Sequence, residues 1–207
     1  MNQSVTAPPA TAEGSARSAL GRLMCGACAL HGRLSAALDR HGRAWLTPLA
    51  ARAVIVATLV PYYLNSALTK PGDGLFGILT PAAGAFAQML PGLAESYSYN
   101  TGAIPFVPWH LIVIFGTLAE FALPVLVALG AATRLAAIAL IGFIAVQTGV
   151  DIWGHGAEAG LLFDRQPGDL LDQRLFWMVP LAVLVLHGGG ALSFDGAWAG
   201  RHKARPA

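Results

Sequence analysis

Four stretches of roughly twenty mostly apolar residues constrain this chain more than any other feature. They run Leu49–Leu68, Val107–Leu129, about Ala131–Trp153, and onward from about Leu175. Crossing about 30 Å of hydrocarbon takes about 20 such residues. The second and fourth stretches have no polar face to turn to water. The expected fold class is therefore all-α, an integral membrane four-helix bundle. Composition agrees, with 55% of 207 residues hydrophobic and 12% charged, where soluble domains run near a quarter charged. A formal net charge of +2 offers little to phosphates, so no nucleic-acid partner is expected. The first partner is the lipid bilayer. Two cysteines cannot build a disulfide scaffold.

Lys and Arg set the orientation. Arg17, Arg22, Arg33, Arg40 and Arg43 precede the first span, Arg134 follows the short link between spans two and three, and Arg201, Lys203 and Arg205 end the chain. The stretches between, 69–106 and 151–174, hold few cations, and the second is acidic. A bacterial inner membrane protein with both termini cytoplasmic is expected. Residues 1–16 lack the apolar core of a secretory signal and read as a disordered tail. Residues 199–207 read as a basic cytoplasmic tail.

Residues 17–48 read as a cytoplasmic amphipathic helix. At 100° per residue, Leu20, Leu23, Ala27, Leu30, Leu34, Leu38 and Trp45 share a face, and Arg22, Arg33 and Arg40 oppose it. Such a helix lies in the membrane interface with its basic side toward anionic head groups, or packs on the cytoplasmic ends of the bundle. Cys25 and Cys28 form a CxxC on it. The pair is a weak candidate for redox or soft-metal chemistry; two reduced, packed thiols are the expected reading.

Ionisable groups at membrane depth are costly, so each is a functional hypothesis. Glu120 lies mid-span and must be protonated, paired or facing a hydrated cavity. It is the candidate catalytic residue. Arg52 lies near the start of span one, where snorkelling serves it. Tyr62, Tyr63, Asn65 and Lys70 cluster at the other end of that span, where interfacial anchoring explains part of the pattern. His110, Gln147, Asp151 and His155 end up near the same outer mouth. Together these eight residues are candidates for a pocket that suits a quinone head group, a proton route or a periplasmic partner. Interhelical hydrogen bonding explains them equally.

The first outer loop contains GLFGILTPAAGAFAQML. Pro81 to Leu90 reads as a short helix at the outer interface, with a re-entrant segment as the alternative. The second loop holds His155, Glu158, Asp164, Asp169 and Asp172 without a metal-ligand spacing, and reads as solvated. No nucleotide, nucleophile-elbow or haem motif is present in the sequence. No covalent cofactor is expected; a quinone is the candidate.

With the spans in place, the segment from about Leu49 to Trp198 resembles the DoxX family of small four-span membrane proteins. The resemblance is carried by Arg52 and Lys70 around span one, by Glu120 in AEFALPVLVALG followed by ATRLAAIAL with Arg134, and by GGGALSFDGAW with Ser193 and Asp195. It implies a four-helix bundle linked to respiratory or redox chemistry. Related DoxD-type proteins form part of a thiosulfate:quinone oxidoreductase, and other relatives work with partners in oxidative or metal stress. Three functions follow as hypotheses. The chain is the membrane partner or scaffold of a redox or metal/oxidative-stress system, with a protein partner. It is a quinone-interacting oxidoreductase subunit with Glu120 accepting protons and His110 and Tyr63 near the head group. Or it is a small proton-linked transporter, for which no inverted repeat is visible. The first is favoured by a small margin, because the sequence holds no complete redox site.

Overall fold

The computed structural model describes residues 12–74, 76–160, 162 and 170–203. The chain divides into two compact units after Gly42. The first unit holds one helix, α1 (Ala12–His41). It begins inside the expected disordered tail, so residues 12–16 are helical; residues 1–11 lie outside the described residues. Met24, Leu30, Leu34 and Leu38 are exposed along α1. The side chains of Leu20, Leu23 and Arg22 lie outside the description. Cys25 and Cys28 are free and exposed, not packed as expected.

The second unit is the bundle, and no strand occurs among the described residues. Its long helices are α2 (Thr47–Leu68), α5 (Leu111–Leu129), α6 (Thr133–Gly149) and α7 (Leu170–His187). Short helices α3 (Ala83–Met89) and α4 (Pro91–Ser96) lie in the first long loop, and α8 (Phe194–Lys203) closes the chain. π-type turns extend α5 backward from Phe106 and α6 forward to Gly154. Among the described residues, four helices are long and apolar enough to cross a membrane: Thr47–Leu68, Phe106–Leu129, Thr133–Gly154 and Leu170–His187. The chain is thus an all-α, four-helix membrane bundle.

The helices run up, down, up, down. Each packs on its two neighbours in the order α2, α5, α6, α7 and back to α2. Ile55, Leu59 and Tyr63 of α2 meet Leu140 and Ile144 of α6, with Leu181 and Leu184 of α7, in a fully buried centre. Lipid tails are as apolar as these side chains, so close packing and interhelical polar bonds must supply cohesion. The expected spans agree to within a few residues except at α7. That helix starts at Leu170, which carries Arg174 from the expected loop into the helix.

The end bearing the α5–α6 link is a saturated polar clamp. Gly130 turns the chain at φ +70, and a Cβ there would meet the Ser193 side chain at 2.5 Å. Asp195 takes the first N–H groups of α6, which have no partner within their own helix. It accepts from Ala132 N at 2.8 Å, Thr133 N at 2.8 Å and Thr133 Oγ1 at 2.7 Å. The Arg52 guanidinium reaches this end of the bundle, the direction snorkelling takes, and is held there by backbone carbonyls. It donates to Ala128 O from Nε at 3.1 Å and to Leu192 O from Nη1 at 2.6 Å, tying α2 to the end of α5 and to the last turn. Arg134 is exposed and donates to Leu186 O.

Partial burial alone would raise the Asp195 pKa. The hydrogen bonds from Thr133 and Ala132 and the Arg52 charge outweigh it, and hold the carboxyl below the usual range. Asp195→Ala is expected to cost about 1–2 kcal/mol, as loss of a helix cap does, read as a lower thermal midpoint in detergent. A depressed carboxyl stabilises fully above its unfolded value near 4, and that stability is lost as pH falls through the lower folded value. Wild type should therefore show an acid limb below about pH 4 that the variant lacks.

Candidate functional site

The opposite end of the bundle is built around one buried ion pair. Lys70 follows α2 directly, and its side chain turns back into the bundle. It is 1% exposed and Glu120 is 5% exposed. Nζ lies 2.6 Å from Glu120 Oε2. It also donates to Ser66 Oγ at 2.6 Å and to Ser66 O at 3.2 Å. An ammonium has three donors, and all three are used. Desolvating such ions costs several kcal/mol each, so full pairing is what makes the burial tolerable. Lys70 is therefore not an interfacial anchor. It is the partner that the mid-span Glu120 demanded.

Glu120 also lines a cavity of about 200 Å³ between α5 and α6. From α5 come Ile112, Gly116 and Glu120, spaced by four, so they stack on one face. From α6 and its extension come Phe143, Val146, Gln147, Val150 and Asp151. Gln88, Met89 and Leu90, at the α3–α4 junction, cover it. A Cβ on Gly116 would meet Met89 Sδ at 2.9 Å, so the glycine lets the cover settle. The cover is held by its own core of Ala85, Phe86, Ala94 and Ile104 against Val113 of α5. The expected short helix over 81–90 is thus real, and its work is to close the cavity.

A polar layer backs the cavity. Tyr63 Oη donates to Gln147 Oε1 at 2.9 Å, and Gln147 Nε2 donates to Tyr62 Oη at 2.9 Å. Asp151 pairs with Arg174 Nη2 at 2.7 Å. The Arg174 guanidinium lies over Trp177, 4.5 Å from the ring centroid, a favourable cation–π placement. Trp177 packs in turn on Tyr62, at 4.9 Å between centroids. Arg174 Nε and Nη1 are buried without a hydrogen-bond partner among the described residues.

The structure thus gathers Lys70, Glu120, Tyr62, Tyr63, Gln147 and Asp151. Three of the expected pocket residues fall elsewhere. His110 belongs to the cover, against Phe86 at 4.8 Å and Phe106 at 5.3 Å, and does not line the cavity. Asn65 is exposed on α2. His155 is exposed at the rim, its Nε2 3.0 Å from Gln88 O. Arg174 and Trp177 were missed, and Ser66, seen in the polar cluster at the end of span one, was left out of the pocket candidates. Ser66 was legible, because it lies four residues before Lys70. Asp164 and Asp169 of the acidic loop lie outside the described residues. Among the described residues no group of three His, Cys, Asp or Glu is placed to hold a metal ion.

Removing one member strands the other. Glu120→Ala is expected to cost about 3–5 kcal/mol, and Lys70→Met with Glu120→Leu far less, because no charge is then left unpaired. Thermal unfolding of both variants in one detergent checks this, and equal losses would contradict it. Comparison with family models, with curated proteins and with solved structures finds no match, so the likeness to the DoxX family rests on the sequence pattern alone.

Proposed function

We propose that this chain is the membrane partner of a redox or oxidative-stress system, and that it meets the quinone pool in the slot between α5 and α6. The observation that carries the proposal is the buried Lys70–Glu120 pair on the wall of an otherwise mostly apolar cavity. About 200 Å³ is below the usual range for drug-sized ligands. It suits a single substituted ring and leaves an isoprenoid tail outside. Ile112, Phe143, Val146 and Val150 offer the ring apolar walls. The two ion pairs cancel, so the slot favours a neutral ligand. Gln147 Nε2 has two N–H donors; Tyr62 takes one, and the other can reach a ring carbonyl. A quinone supplies two-electron, two-proton carriage, and a protein partner supplies the electrons or takes them. A thiosulfate:quinone type of subunit fits the same pocket and differs only in that partner. In this reading the termini are cytoplasmic in a bacterial inner membrane, as the Lys and Arg distribution indicates.

A photoreactive quinone should label peptides from α5 and α6 in membranes. Gln147→Leu should cut that labelling by up to about tenfold, the scale of one lost hydrogen bond, while co-purifying partners stay attached. Labelling that is unchanged, or confined to the lipid-facing surface, would overturn the reading. Orientation has its own test. Cys25 and Cys28 are the chain's two cysteines, so an impermeant maleimide should label it only after the cytoplasmic face is opened.

A further inference from the structure

The slot carries two carboxylates. Ile112 and Glu120 are eight residues apart on α5, a rise of about 12 Å. α6 runs antiparallel from a short turn, which places Asp151 level with Ile112 and Phe143 level with Glu120. The backbone of Glu120 therefore lies deeper than that of Asp151, and both side chains line the slot. Each is held by a cation from a different element, Lys70 at 2.6 Å and Arg174 at 2.7 Å.

Ion-paired carboxylates accept hydrogen bonds and do not donate them. A dione has only acceptors, so neither carboxylate can bond to it directly. The donors of Lys70 are already used and the unpartnered N–H groups of Arg174 do not line the slot, so a dione is left with the spare amide N–H groups of Gln147 and Gln88, away from the two carboxylates. A diol carries an O–H at each end and meets an acceptor at each. We infer that the slot binds the reduced, diol form of its ligand in preference to the dione, with Asp151 as the second ligand-binding carboxylate. Arg174 is the positioning residue that holds Asp151. The inference rests on the quinone reading of this site and adds the ligand's redox form to it. For the couple dione + 2 e⁻ + 2 H⁺ ⇌ diol, preferential binding of the diol raises the midpoint potential. A tenfold preference corresponds to about 30 mV.

The test is anaerobic calorimetry of the full chain in bilayer nanodiscs. The probes are a short-chain 1,4-benzoquinone, its diol, and the diol's monomethyl ether. The diol is expected to bind roughly tenfold tighter than the dione or more, as one or two charge-assisted bonds require. The ether, with one O–H removed, should fall between them, and Asp151→Asn should bring diol and ether close together. The ether needs no variant, so a variant that fails to fold does not remove the test. Dione binding equal to or tighter than diol binding overturns the inference and leaves the quinone reading standing. If neither form binds, both fall.

Discussion

One ion pair fixes the design of this bundle. A carboxylate in the middle of an apolar helix cannot be left alone in hydrocarbon. Lys70 answers it from the end of a neighbouring helix, 2.6 Å away. The reach imposes conditions on everything near it. The lysine must fold back along α2, which Ser66 secures one turn earlier. α2 and α5 must lie side by side at that depth, which Ala51, Ile55 and Leu59 help to secure. The first long loop must then cover what remains, and it does so with two short helices on a small core of their own.

The two ends of the bundle use polar groups differently. At the α5–α6 link, Arg52, Thr133, Ser193 and Asp195 spend their hydrogen bonds on backbone and on one another. A network satisfied in this way rigidifies and holds one arrangement. Thr133 and Asp195 also line an open surface cleft of about 440 Å³, whereas Glu120, Gln147 and Asp151 at the covered end line a more enclosed cavity beside the buried ion pair. Buried polar groups that open on a cavity are where a ligand has something to bind. The functional reading is placed at that end for this reason, and the clamp is read as structure.

The spans were legible because about twenty apolar residues in a row have few other uses. Glu120 was legible from depth alone. Its partner was not, because Lys70 lies fifty positions away and near a span end, where anchoring is the ordinary reading. Arg174 was misplaced for a related reason. α7 begins at Leu170, five residues before its apolar run, and a helix start with Asp172 and Arg174 in it reads as loop. The surplus residues were an error of direction. His110 lies two positions before Ile112, about 200° around the helix from the cavity face at 100° per residue. Asn65 stands in the same relation to Tyr63. Gln147 and Asp151, four apart, share a face and were correctly grouped. Nearness to a membrane surface chose the candidates, where helix angle should have pruned them.

The cavity also lies on a seam. Lys70–Glu120 joins α2 to α5, and Asp151–Arg174 joins α6 to α7. Each half of the bundle is thus stapled by its own ion pair near the covered end. Between the halves at that end, the polar link is Tyr63 to Gln147 and Gln147 to Tyr62. A ligand spanning the slot would add bonds across the seam that neither staple supplies. Its binding energy would then go into closing the two halves on each other, and the Met89 contact over Gly116 would be the first part of the cover to register it. A partner docked on the cover could respond to occupancy without touching the ligand, provided that the open and closed seams differ in their affinity for it.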